Sequence, residues 1–147
     1  MRYYDIFLIE DDVARFYFGQ EVKLYQLFLE ARTIDNLRIK KEIDKQIDYI
    51  TKPMPVNAIQ QRISMSCRHY PGYDCRGYIH IFQCTKGGSR AKLEVQPSGL
   101  TLQGIGDYTA EATFFEVLRQ IDSSFLAIDF HLTNFGWLKP IRNAHLI

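Results

Sequence analysis

The side chains best suited to metal chemistry in this chain are three cysteines and the two histidines between them. Cys67, Cys75 and Cys84 follow one another at intervals of eight and nine residues, and His69 and His80 lie between the first and last. Thiolates and imidazoles bind zinc, but structural zinc sites use closely spaced cysteine pairs. The spacing therefore argues against a metal site. An odd cysteine count without a secretory signal predicts reduced thiols.

Two glycine-rich stretches resemble parts of phosphate-binding loops. "TKGGSR" (residues 85–90) contains Gly-Gly-Ser but lacks the spacing and the trailing lysine of such a loop. It lies between two predicted strands, which favours a hairpin turn. "GIGDYT" (residues 104–109) lies between a strand and a helix but lacks the full G-x-G-x-x-G pattern. Neither stretch predicts nucleotide binding, and we expect no cofactor.

Acid–base chemistry has one candidate carboxylate, Asp129, at the end of the apolar segment "FLAIDF". A strand-end aspartate more often accepts hydrogen bonds from turn amides, and we favour that role. The four histidines are scattered, with no nucleophile elbow near them. We therefore predict that the protein is not an enzyme, although a triad assembled in space stays open as an alternative.

Charge and composition exclude several classes of protein. The 147 residues are 46% hydrophobic and 24% charged, with a net charge of +1, so nothing attracts the whole chain to nucleic acid or to an anionic membrane. Acidic residues enter too early in "MRYYDIFLIEDD" for a signal peptide. No apolar run approaches the roughly 20 residues that span a bilayer. We expect a soluble, cytoplasmic protein.

One segment is basic enough to raise a nucleic-acid alternative. "RIKKEIDK" (residues 38–45) carries four positive and two negative charges on a predicted helix. The two acidic residues dilute the positive charge, which favours a solvated helix face over a phosphate-binding patch. We expect no direct contact with nucleic acid.

The periodicity predicts elements in the order β-ααα-βββ-α-ββ. The fold class that follows is α+β, one domain over residues 1–147, with a mixed, mostly antiparallel sheet of about five or six strands packed with about four helices. Thr33 is the predicted cap of the second helix, and residues 69–77 are predicted as a loop. The predicted helices are 12–31 with a bend near Gly19, 33–50, 55–68 and 108–121, and the strands are 3–9, 78–84, 91–95, about 100–102, 125–130 and 135–140.

The first predicted helix contains three consecutive aromatic residues, in "VARFYFGQ" (residues 13–20). Consecutive helical side chains diverge by about 100°, so one buried stripe cannot hold all three. Val13 and Tyr17 form a separate pair one turn apart, and Phe16 lies away from both sets. The pattern allows a doubly buried helix or a partner surface centred on Tyr17. The predicted core stripe consists of Ala14, Phe18, Val22, Tyr25 and Phe28.

The second predicted helix carries a similar indication. Its buried stripe is made of isoleucines, with Gln46 at the edge of the stripe and Tyr49 on the polar side. A glutamine in that position can bond a partner's backbone or simply face water.

Several segments together resemble the family of sporulation inhibitor of replication proteins, SirA, of endospore-forming bacteria. Their order extends over nearly the whole chain, and residues 68–92 match least well. The segments are "YFG" (17–19), "KQIDYITKPMP" (45–55), "GDYTAEATFFEVL" (106–118), "FLAIDF" (125–130) and "GWLKP" (136–140).

The resemblance implies a non-enzymatic function. Proteins of this family bind the N-terminal domain, domain I, of the replication initiator DnaA and block new rounds of replication as cells commit to sporulation. Occlusion of that domain needs no cofactor. The resemblance further leads us to expect a monomer that forms a 1:1 complex and associates with the origin through DnaA. A binding module with a different intracellular partner and a nucleic-acid-binding regulator remain the alternatives.

The resemblance also implies which residues contact the initiator. Tyr17, in the matching "YFG", and Gln46, in the matching "KQI-YIT-P", are the firmest. Tyr49 is added on geometry, as a neighbour of Gln46 on the helix.

Three further residues complete the expected partner-binding set. Val13 lies one turn before Tyr17, where relatives can carry a bulkier aromatic, and Phe16 would supply the missing area. Pro140, in "GWLKP", belongs either to the interface or to the end of an edge strand, and the second is favoured.

Overall fold

Seven strands and five helices follow one another along residues 1–85 and 87–138, which are the residues that the computed structural model describes. They are β1 (Arg2–Leu8), α1 (Asp11–Phe16), α2 (Glu21–Thr33), α3 (Leu37–Ile50), α4 (Val56–Cys67), β2 (Tyr73–Arg76), β3 (Ile79–Gln83), β4 (Arg90–Gln96), β5 (Gly99–Ile105), α5 (Thr109–Ile121), β6 (Phe125–Asp129) and β7 (Asn134–Trp137).

All seven strands form one sheet in the order β2-β3-β4-β5-β1-β6-β7, and each neighbouring pair is antiparallel. The strands β2 to β5 follow one another along the chain, as do β6 and β7, whereas β1 enters between β5 and β6 from the start of the chain. The predicted α+β class and the predicted element order are confirmed, with one more strand and one more helix than expected.

Helices cover both faces of the sheet and enclose two hydrophobic cores. Successive residues of a strand point to opposite faces. In β1, Ile6 and Leu8 therefore enter the first core, beneath α4 and α5, while Phe7 packs against the second core, beneath α2. The second core also holds Leu126 and Ile128 of β6, and it supports the helices that carry the predicted site.

The additional strand is β2, which lies within residues 69–77 and contradicts the predicted loop there. Tyr73 pairs with Phe82 of β3, and only Tyr73 of the four β2 residues is not fully exposed. A strand that buries almost nothing need not alternate apolar and polar residues, so the periodicity of this segment did not predict a strand.

The additional helix arises because the first predicted helix is broken rather than bent. α1 ends at Phe16 and α2 begins at Glu21. Between them Gly19 has a φ of +82°, in the left-handed region that glycine adopts without a steric penalty. The chain therefore changes direction before α2 starts.

This break makes the predicted core stripe wrong at two positions. Phe18 is 37% exposed and Val22 is 48% exposed. Phe18 lies in the turn that follows α1 and Val22 lies in α2, so neither has the orientation that one continuous helix would give it. The other three members of the stripe, Ala14, Tyr25 and Phe28, are buried as predicted.

The cap of α3 is Asn36 rather than the predicted Thr33. Asn36 Oδ1 accepts hydrogen bonds from the amides of Arg38 (3.0 Å) and Ile39 (3.2 Å). Thr33 instead closes α2, where its hydroxyl donates to the carbonyl of Leu29 (3.0 Å). Asparagine is among the strongest N-caps because its short side chain reaches the free amides of the first turn.

A buried histidine joins the β2–β3 hairpin to α4. His80 is fully buried; its Nδ1 lies 2.7 Å from the Tyr73 hydroxyl and its Nε2 lies 2.5 Å from Oε1 of Gln60. The Gln60 amide nitrogen donates to the Gly77 carbonyl, so its oxygen faces His80 and accepts a hydrogen bond from Nε2–H. Burial raises the pKa of Tyr73 to about 12, so its hydroxyl stays protonated and donates a hydrogen bond to Nδ1. His80 is therefore neutral.

This network predicts a loss of stability in acid. Burial lowers the pKa of His80 below its ordinary value of about 6.5, so the unfolded chain takes up a proton more readily than the folded one. The contribution of His80 to stability is complete above pH about 6.5 and decreases as the pH falls through that value towards the folded pKa. We expect His80→Gln to flatten the dependence of the unfolding free energy on pH between about 7.5 and 5, measured by denaturant titration.

The exposed His131 provides the matched control, since His131→Gln makes the same substitution without touching the network. Equal pH slopes for the two variants would contradict the assignment of the acid sensitivity to His80.

The cap of α3 gives a second prediction. Asn36→Ala removes the acceptor for two amides and should lower the free energy of unfolding by about 1 kcal/mol, whereas Asn36→Asp should retain most of it. Chemical denaturation measures both. Asp35→Ala, at the exposed preceding position, is the control. If Asn36→Ala were no more destabilising than Asp35→Ala, Asn36 would not be the effective cap.

Candidate protein-docking site

A depression of about 480 Å³ lies between the N-terminal half of α2 and the C-terminal half of α3, beside the residue that ends α1. It brings together three of the predicted partner-binding residues, Tyr17, Gln46 and Tyr49. The lining consists of Tyr17, Lys23, Leu24, Leu27, Glu42, Lys45, Gln46, Tyr49 and Ile50.

The depression combines apolar side chains with an aromatic and polar rim. Leu24 is buried, and Leu27 and Ile50 are half-buried. Tyr49 stands at the rim and is 84% exposed. An apolar centre with tyrosine and amide groups around it is the composition typical of protein–protein interfaces. The geometry thus suits a protein partner whose apolar side chain enters the depression.

Tyr17 is held in a fixed position at the end of α1. Its amide donates to the Val13 carbonyl (2.9 Å) and its carbonyl accepts from the amide of Gln20 (2.7 Å). The side chain is half-buried and packs against the second core. Both sequence interpretations are therefore partly right, because one side of the ring is core and the other lines the depression.

The aromatic surface continues from Tyr17 onto its two neighbours. Phe16 is 71% exposed, and its ring meets that of Tyr17 edge-on, with centroids 5.0 Å apart and planes at 78°. Phe18 is exposed as well, although the helical pattern had assigned it to the core. Gly19 is the sequence feature that could have predicted the exposure of Phe18, because its left-handed backbone interrupts the helix. Phe18 thus adds aromatic surface next to Tyr17.

On α3, Gln46 and Tyr49 lie three residues apart and face the same side of the helix. Both are exposed, and Glu42 and Lys45 extend the same helix face towards the N-terminus. The sequence interpretation of Gln46 as a stripe-edge residue agrees with this position.

Two of the expected contact residues have other positions. Val13 is half-buried and packs against the second core, so little of it remains for a partner. Pro140 lies outside the described residues. Sequence reasoning missed Lys23, Leu24 and Leu27 as lining residues, since nothing in the pattern of α2 shows that α3 packs beside it.

The other candidates for chemistry have structural roles. Asp129 is buried, and its Oδ1 accepts from the amides of His131 (3.0 Å) and Leu132 (3.1 Å), which confirms the predicted turn. Gly87 and Gly88 adopt positive φ angles between β3 and β4, which confirms the predicted hairpin.

A buried ion pair and hydrogen bond between α5 and the start of β1 are also structural. The Glu111 carboxylate is almost wholly buried and accepts hydrogen bonds from Arg2 Nε (2.8 Å) and from the Tyr4 hydroxyl (2.5 Å). Burial and this carboxylate raise the pKa of Tyr4. Gly104 leaves room for Glu111, because a β-carbon there would lie 2.2 Å from the carboxylate. These contacts thereby fix α5 on the sheet.

In residues 1–85 and 87–138, the histidines, cysteines and acidic residues form no group of three or more able to hold a metal ion. Over the same ranges, none of the helices has the length and apolar character needed to cross a bilayer.

Comparison with known proteins identifies the family. The family model described as sporulation inhibitor of replication protein SirA matches residues 2–142. A relative from Bacillus subtilis (strain 168), described as sporulation inhibitor of replication protein SirA, is 33% identical over 147 residues, which cover 99% of each chain. The resemblance inferred from the sequence segments is confirmed. The chain belongs to the SirA family of sporulation inhibitor of replication proteins.

Proposed function

We propose that this protein inhibits the initiation of chromosome replication during sporulation by binding domain I of the initiator DnaA and covering it. The observation that carries the proposal is the convergence of Tyr17, Gln46 and Tyr49 on one depression. These residues come from two separate sequence segments that the family resemblance singles out. The description of the family as an inhibitor of replication supports the same function.

Occlusion requires only a stable contact. An apolar side chain of the initiator domain would lie over Leu24, Leu27 and Ile50, and the loss of its hydration would favour the complex. The Gln46 amide would bond polar groups at the edge of the contact. We propose a 1:1 complex in the cytoplasm, with recruitment to the origin through the bound initiator and without a cofactor.

The first test is titration calorimetry of the protein against isolated DnaA domain I. Tyr49→Ala removes a side chain that is almost fully exposed, so the fold should be unaffected. If Tyr49 is an interface hot spot, its loss should cost about 2 kcal/mol of binding, or about thirtyfold in affinity.

The matched control is Tyr78→Ala, another exposed tyrosine, on the β2–β3 turn away from the depression. It should bind like the wild type. No binding by folded wild type would reject DnaA domain I as the partner. Equal affinities of the two variants would reject Tyr49 as a contact.

Tyr17→Ala should affect both binding and stability. The half-buried ring contacts the second core, so its removal should lower the midpoint of thermal unfolding, while the variant remains folded at room temperature. Its affinity should fall at least as far as that of Tyr49→Ala. A destabilised Tyr17→Ala variant with unchanged affinity would make Tyr17 a core residue alone.

A further inference from the structure

The rim of the depression carries charged side chains from both helices. Lys23 projects from α2, and Glu42 and Lys45 project from α3. All three are exposed, and the set has one more positive than negative charge. The positions of these charges determine which charges on a partner surface would complement the site.

The positive charge is distributed unequally across the depression. Lys45 Nζ lies 4.0 Å from Oε1 of Glu42, so this pair is largely balanced within α3. Lys23, in contrast, has no carboxylate within ion-pair distance in the part of the chain that the structure describes. The uncompensated ammonium group therefore lies on the α2 side.

We propose that the partner surface is the acidic face of an amphipathic helix, with an apolar side chain over Leu24 and Leu27 and a carboxylate one turn away that meets Lys23. Residues three or four positions apart on a helix lie on the same face, so one helix can supply both groups. This inference rests on the proposed function and specifies the partner chemistry of the same site.

The charge complementarity should act mainly on the rate of association. Lys23 is exposed, and rim charges steer the encounter more than they stabilise the final complex. The effect should be strong at low ionic strength and weak when salt shortens the range of the charge to a few ångströms.

Association and dissociation rates with DnaA domain I, measured by stopped flow at about 50 mM and about 500 mM salt, test the proposal. We expect Lys23→Glu to slow association about tenfold at the lower salt concentration and much less at the higher one. Lys23→Met should give an intermediate rate, since it keeps the apolar stem without the charge.

Two variants on α3 test the asymmetry of the rim. Lys45→Glu should slow association less than Lys23→Glu does, because Glu42 already balances Lys45. Glu42→Gln should accelerate association. Arg62→Glu is the matched control, because it makes the same charge change at an exposed position of α4, on the opposite face of the sheet.

The outcomes separate this inference from the proposed function. Wild-type binding with equal rates for Lys23→Glu and Arg62→Glu would overturn the acidic partner face and leave the proposed function standing. An equal loss at both salt concentrations would also overturn it, since lost packing rather than lost charge would then be responsible. No binding by the wild type would overturn the proposed partner, and this inference with it.

Discussion

The position of β1 between β5 and β6 is the constraint on which the rest of the structure depends. Ile6 and Leu8 belong to one core and Phe7 to the other, so β1 supplies both layers at once. A slip of one residue would exchange the two sets and disrupt both cores. Phe7 stacks on Phe28 of α2, with ring centroids 4.1 Å apart. The register of β1 therefore fixes α2, and through α2 the depression.

The break at Gly19 then determines which aromatic side chains at the end of α1 are exposed. Without it, one helix would direct Phe18 and Val22 into the core, as the periodicity predicted. With it, Phe18 is exposed, as Phe16 is, while Tyr17 caps α1 at the edge of the depression. Any other residue at position 19 would have to adopt a left-handed backbone conformation, which is strained for a residue with a β-carbon. The conformation of one glycine thus leaves Phe18 on the surface rather than in the core.

Most elements could be predicted because their burial is periodic, as in β4, where Ala91, Leu93 and Val95 alternate with more exposed residues. β2 could not, because it buries almost nothing. Asn36 was missed as a cap because Thr33, three residues earlier, is also of a capping type. The approach of α3 to α2 is a long-range contact with no local signal. The family resemblance, rather than the pattern, selected Tyr17 and Gln46, and the depression that unites them is a property of the fold.

Tyr17 and Tyr49, the two tyrosines that line the depression, differ in how firmly the fold holds them, and this difference bears on the proposed complex. Tyr17 is anchored before any partner arrives, because its backbone is bonded at both sides and its ring already packs against the core and Phe16. Tyr49 is 84% exposed, so little packing holds its ring in place. Ordering a side chain on binding costs about 0.5–1.5 kcal/mol, so a given contact yields more net affinity at Tyr17 than at Tyr49. In the proposed complex the half-buried Tyr17 is therefore the better anchor, because the fold has already ordered its ring.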